Sequence, residues 1–187
     1  WEVYTLDGEP SAQWEYQVAV TEDGVEQCLI SCDDGVYRFT PPESEEQDWT
    51  VEKLVDEAAS DAVLVDLDQD GEKELILISP FHGEHIYFYK KIDGDYKKVY
   101  TYDTADFAHA IYGGTLLGKP AVIIGHRKGE RNLLLFTWEQ EKGEYQVEIL
   151  DRDCGPANVF KYERGTEEVL ISTNREIDEV AMYTFEK

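Results

Sequence analysis

Basic residues are scarce in this chain: 17 lysines and arginines stand against 41 aspartates and glutamates, a formal net charge of −24 over 187 residues. A surface this acidic repels nucleic-acid phosphates and anionic membrane faces, which excludes nucleic acid as a partner. No apolar run reaches the about 18 residues of a membrane span, and nothing near the start pairs a charged region with an apolar signal core. Trp1 is not an initiator residue, so a processed leader or an upstream portion is expected before it. Cysteine is sparse and odd in number. Cys28, Cys32 and Cys154 show no metal-type pairing and read as buried small apolar residues. That usage points to a reducing compartment or to a protein that does without bridges, so a cytoplasmic location is expected over a secreted one. Catalytic signatures are also missing. There is no nucleophile elbow, and Gly113-Gly114 lacks the Lys-Ser/Thr that completes a phosphate-cradling loop.

What the chain does have is a repeat. With 42% hydrophobic and 12% aromatic residues it can bury a core, and Gly24, Gly71, Gly118 and Gly165 stand 47 residues apart. Each glycine is followed by a polar turn, an apolar strand and a small residue, as in Glu72-Lys73-Glu74-Leu75-Ile76-Leu77-Ile78-Ser79. A β-branched or aromatic run precedes each one: Tyr16 to Val20, Ala62 to Leu67, Ala108 to Leu117 and Asn158 to Tyr162. Third strands follow at Val36 to Phe39, Ile86 to Tyr89, Leu133 to Phe136 and Val180 to Tyr183. Fourth strands open on Trp49, Tyr96 and Tyr145.

Four antiparallel strands in about 40 to 50 residues make one propeller blade, because a lone four-stranded sheet must stack against copies of itself to bury both faces. Helical repeats of similar length would carry 3.6-residue periodicity, and none is present. The sequence therefore predicts an all-β propeller in a single domain, with blades at 9–58, 59–105, 106–154 and 155–187. The last copy ends after three strands, and Trp1 to Leu6 has the aromatic start of a fourth. Either this strand completes the last blade and closes a four-bladed ring, or it finishes a preceding blade, and a second chain or a missing segment completes a larger propeller. Pro41 to Asp48 reads as a solvated acidic loop.

The second copy carries Asp66-Leu67-Asp68-Gln69-Asp70-Gly71-Glu72-Lys73-Glu74 between apolar strands. This loop is too short, and its flanks too strand-like, for a helix-loop-helix calcium site. Read as strand, Asp-x-Asp-x-Asp-Gly-x-x-Glu and strand, the segment from Ala62 to Leu77 resembles the FG-GAP or VCBS repeat of integrin-α-like propellers. The resemblance implies one structural Ca²⁺ held by side-chain oxygens of Asp66, Asp68, Asp70 and Glu74 with the backbone carbonyl of Glu72. Hard oxygens suit that ion. An unoccupied acidic turn is the alternative. Shifting by the period gives Ala19, Thr21, Asp23 and Gln27, then Gly113, Thr115, Leu117 and Ala121, then Phe160, Tyr162, Arg164 and Glu168. No sister copy keeps the ligands.

In a blade running from innermost to outermost strand, the second-to-third-strand loops and the blade-to-blade loops share one face, opposite the glycine turns. All four histidines fall on that face. His82, His109, His126, Arg127 and Arg175 gather there with Asn158, Asn174 and Glu176, which suggests a polar, anion-tolerant pocket near the axis. Single members have a structural reading in neighbouring acids, Arg175 with Glu176 and Arg127 with Glu130. A metal on His82, His109 and His126 is allowed by geometry, whereas His82 and His85 point to opposite faces of an extended stretch. The leading expectation is a binding module for a small polar ligand, a carbohydrate or sugar acid. One alternative is a lyase or dehydratase with His109 or His126 as base and Arg127 or Arg175 stabilising an enolate. Another is a protein-interaction scaffold.

Overall fold

The computed structural model describes residues 13–21, 24–44, 47–80 and 83–186. The strand expected at Trp1 to Leu6, and His82, lie outside them. Among the described residues fifteen strands form four antiparallel sheets, each in simple up-and-down order. The first blade contains β1 (Gln13–Val20), β2 (Glu26–Cys32), β3 (Gly35–Thr40) and β4 (Thr50–Val55). The second contains β5 (Asp61–Val65), β6 (Glu74–Ile78), β7 (Ile86–Ile92) and β8 (Asp95–Tyr102). The third contains β9 (Ala108–Leu116), β10 (Lys119–His126), β11 (Leu133–Glu139) and β12 (Glu144–Asp151). The fourth has three described strands, β13 (Pro156–Arg164), β14 (Glu167–Asn174) and β15 (Glu179–Glu186), with a 3-10 turn at Arg175–Ile177. The fold is the all-β propeller that the repeat predicts. No helix among the described residues is long and apolar enough to cross a membrane.

Side chains alternate across each strand, so each blade packs one face forward onto the next blade and one backward onto the last. Leu29 on the first blade meets Ala62, Leu75 and Leu77 on the second. Val63, Ile76 and Phe88 on the second meet Ile111, Val122 and Phe136 on the third. Ala110, Ile123 and Leu135 on the third meet Val159 and Leu170 on the fourth. The second strands are buried on both faces, as in Glu74–Ile78, whose five residues are all buried. That explains their near-continuous apolar sequence.

The 47-residue spacing conceals a slip in the last blade. In the third blade Leu116 pairs with Lys119, which places Gly118 second in the two-residue turn. In the fourth Arg164 pairs with Glu167, which places Gly165 first. One residue of slip exchanges the faces. Leu170 therefore packs backward on the third blade, while Ile123, 47 residues before it, packs forward.

The three cysteines are free thiols. Burial pushes Cys32 and Cys154 up to about 11, with neighbouring aspartates adding to the shift. Such thiols are poor nucleophiles and poor metal ligands near neutral pH, in line with their reading as small apolar residues.

Candidate functional site

On the face of the second-to-third-strand loops, the blade-to-blade segment Asp106-Phe107 is clamped by the third blade's own loop. Arg127 N–H donates to the Phe107 carbonyl at 3.0 Å and Lys128 N–H donates to the Asp106 carbonyl at 3.0 Å. Gly129 makes this approach possible, since a Cβ there would sit 2.7 Å from an Asp106 carboxylate oxygen. Phe107 is held at φ +59°, the left-handed region, which a bulky aromatic residue adopts only when its surroundings dictate it. Two cations approach its ring, the Arg127 guanidinium 4.9 Å and the Lys128 ammonium 4.8 Å from its centroid.

Arg127 is already engaged. Its Nε and Nη2 donate to Glu176 Oε1 on the fourth blade at 2.9 and 2.7 Å, and that bond, with Arg127's charge, holds the Glu176 carboxyl below its usual range. The partner is therefore Glu176, not Glu130 as sequence proximity suggested, because the loop reaches across to the next blade. Gly155 leaves room for it, since a Cβ there would lie 2.4 Å from Glu176 Cγ. Lys128 is exposed and makes no ion pair among the described residues. It edges a cleft of about 580 Å³ between the second and third blades, with Ser79, Glu84, His85, Tyr87 and Phe107.

The predicted histidines divide. His126 is buried, its Nδ1–H donating to the Lys128 carbonyl at 2.9 Å and its Nε2 accepting the Asn132 N–H at 3.0 Å. Both nitrogens are occupied in organising its own loop, and burial lowers its pKa. So engaged, His126 offers no free ring nitrogen to a metal or a substrate proton, and His82, named with it and His109 as a metal set, lies outside the described residues. His109 is half-buried with its ring 6.5 Å from that of Phe107. His85 pairs with Asp103 at 3.2 Å and stacks on Tyr87. Asn174 is buried, donating to Glu179 and accepting from Ser172, so it braces the fourth blade. Asn158 is exposed on β13, and Arg175 lies beside Glu176 on the 3-10 turn.

Sequence reasoning missed Lys128, Phe107 and Tyr87. Lys128 follows Arg127 directly, and that doubled cation in an acid-rich chain was the available signal. The left-handed Phe107 leaves no trace in the sequence. A second cleft, of about 600 Å³ at the outer edge of the first two blades, has two of its cations paired with its own acids, Arg38 with Glu52 and Lys53 with Asp56.

The acidic loop closes on itself by backbone bonds. Asp66 accepts the Asp70 and Gly71 N–H groups at 3.1 Å, and Asp70 accepts the Glu72 N–H at 2.8 Å. Asp66, Asp68 and Glu74 each bring an oxygen within 4.8 Å of the others, while the Asp70 carboxylate turns back to the loop. Lys90 reaches in from β7, its ammonium contacting Asp68 and lying 3.4 Å from Glu74 Oε1. Burial works against that charge, but the two carboxylates outweigh it and raise the lysine's pKa. Burial, with repulsion from Asp68, pushes Glu74 up to about 7. Glu74 Oε1 is buried and accepts no hydrogen bond. A buried carboxylate oxygen that makes no hydrogen bond, beside two more carboxylates, fits a cation, and the Lys90 ammonium is the one nearest it.

No protein-family model matches the chain, and no curated protein matches it. The likeness to FG-GAP and VCBS repeats thus stays with the one loop. Among solved structures, a candidate 6-phosphogluconolactonase of Bacteroides fragilis superposes with a TM-score of 0.58 at 16% identity. The match covers 94% of this chain and 50% of that one, so the chain spans about half the length of that protein. The likeness is one of propeller fold.

Proposed function

We propose that the chain is a propeller binding module for a small anionic polyol, a sugar acid or sugar phosphate, held in the cleft between the second and third blades. The observation that carries this is Lys128, a cation without an acidic partner among the described residues, beside an aromatic ring at the edge of a cleft in a chain of charge −24. Anion and ring faces are the two contacts a sugar acid needs. Phe107 and Tyr87 supply ring faces, Ser79 and His85 supply hydrogen bonds, and the Arg127–Glu176 pair ties the adjoining loop to the fourth blade. The neighbour's link to a phosphorylated sugar lactone is compatible with this ligand class.

Calorimetric titration with gluconate, glucuronate, 6-phosphogluconate and neutral glucose tests it. An acid should bind and glucose should not, and Lys128→Ala should weaken the acid roughly tenfold, the effect of one charge-assisted bond. Equal affinity for glucose, or indifference to Lys128→Ala, would sink the reading.

For the acidic loop we propose a structural Ca²⁺ on Asp66, Asp68 and Glu74 that competes with Lys90 for the same carboxylates. A bound ion stabilises the folded state by mass action. Calcium should therefore raise the melting temperature, chelator should reverse the rise, and Lys90→Gln should bind calcium more tightly. No shift in either protein would rule out the ion.

A further inference from the structure

The interface between the first and second blades departs from the two that follow it. Leu29, Ile76 and Ile123 stand 47 residues apart on the second strands and face forward. Cross-strand partners share a face. Phe88 pairs with Ile76 and Leu135 with Ile123, and both are buried at their interfaces. The partner of Leu29 is Arg38. On the facing wall, Trp138 of the third blade stands two residues after the buried Phe136, pairs with Tyr145 and packs against the second blade. Lys91 holds that place in the second blade, two residues after Tyr89 and paired with Tyr96. Cations thus replace apolar side chains on both walls. A cleft of about 230 Å³ opens between them, lined by Arg38, Lys73, Lys91, Thr21 and Tyr96, with Glu72 as its one acid.

We propose that this cleft is a second anion site, for a phosphate group, free or on a small ester. Glu52, outside the cleft, takes Arg38 Nη2, whereas Arg38 Nε is buried and makes no hydrogen bond. A buried N–H without an acceptor costs free energy that a ligand oxygen would restore. The Lys73 ammonium donates to the Val20 carbonyl across the interface. Lys91 is exposed and makes no ion pair among the described residues. Thr21 Oγ1 accepts the Val25 N–H at 3.0 Å, which leaves its own O–H to donate. Three cations against one acid repel one another, and a dianion with oxygens directed to both walls relieves that repulsion. Thr21, Gly71 and Glu72 place the site on the face of the glycine turns, apart from the cleft edged by Lys128.

Phosphate raises melting temperatures by exclusion from protein surfaces, so the test is calorimetric titration of the full chain in calcium-free buffer. Inorganic phosphate and glycerol phosphate are the two probes, with acetate as the monoanion control. At least one phosphate should bind, the tighter naming the source, and acetate should not. Arg38→Leu installs the residue type of the third blade and should fold as the wild type does. Lys91→Ala changes an exposed side chain and keeps the test open if Arg38→Leu fails to fold. Each should weaken phosphate roughly tenfold or more. Lys128→Ala should leave phosphate binding unchanged, which separates this site from the sugar-acid cleft. The proposal is overturned if neither phosphate binds the wild type, if acetate binds as tightly, or if Lys91→Ala binds phosphate as the wild type does. Loss of phosphate binding in Lys128→Ala alone would also overturn it, by placing the anion in the other cleft.

Discussion

Lys161→Met should be among the most damaging single substitutions in the protein, lowering stability by about 3–5 kcal/mol. Lys161 is on β13, on the backward face toward the third blade, with its side chain only 6% exposed, and its ammonium lies 3.0 Å from Glu168 Oε2. Glu168 is 1% exposed, and the same oxygen accepts the Leu117 N–H of the third blade at 2.9 Å. Leu117 is held at φ +52°. One buried carboxylate thus neutralises a buried lysine and fixes a strained turn on the adjacent blade. Removing the lysine takes the opposing ammonium away from a buried carboxyl group, and the cost is that of the desolvation the pair had offset rather than of the lost pair. In a protein of this size the melting temperature should fall on the order of 10 °C. The double variant Lys161→Met with Glu168→Gln removes both charges yet keeps an acceptor for Leu117, and should return to within about 1 kcal/mol of the wild type. Urea unfolding of the four proteins completes the cycle. A single variant as stable as the double one would show that Glu168 does not carry a buried charge.

The same two residues show how far the sequence can be read. The repeat was legible because a blade's requirements are local and recurrent: a turn glycine, an apolar second strand buried on both faces, and a small residue before the next loop. The face that each side chain takes depends on register, and register turns on whether the glycine stands first or second in a two-residue turn. Gly118 and Gly165 keep their spacing and change their place, so counting by 47 assigns Leu170 to the forward face when it packs backward. It also makes Glu168 look like a lost loop ligand, where the structure gives it a buried ion pair.

The candidate site was legible at the level of the loop and not of the residue. Histidine and arginine do gather on one face, but chemical richness in a loop sequence does not distinguish a side chain facing outward from one bonded within its own turn. His126 organises its loop through both ring nitrogens. Arg127 crosses to Glu176, 49 residues away. Lys128, beside them in sequence, makes no ion pair among the described residues. Outcomes of this kind depend on which side chains the local turn can satisfy, and that is set by backbone dihedrals such as the left-handed Phe107.

Asp61 should give the protein a stability that declines from mildly acidic to neutral pH, and Asp61→Asn should remove that decline. Asp61 opens β5, the strand nearest the axis in its blade, and is 6% exposed. It accepts hydrogen bonds from Gln17 Nε2 at 3.1 Å and from the Ala62 N–H at 2.8 Å. Burial pushes its carboxyl from 3.8 up to about 7, since those two bonds do not offset the loss of water around a charge and Glu15 adds repulsion. A folded state that keeps its proton to about 7, against an unfolded chain that releases it near 3.8, binds more protons throughout that window. Stability must then fall as pH rises through it, reaching a loss of up to roughly 4 kcal/mol once Asp61 ionises in the folded state. The carboxamide of Asp61→Asn keeps an acceptor for Ala62 and cannot ionise, and the Gln17 amide can turn to present its oxygen to the new N–H. The general loss from self-repulsion of an acidic chain affects both proteins and cancels in their difference. Urea unfolding at intervals from pH 4.5 to 8 should show the variant gaining on the wild type as pH rises, with most of the gain in place by pH 7. Parallel curves would mean that water reaches Asp61 and that it ionises as an ordinary aspartate.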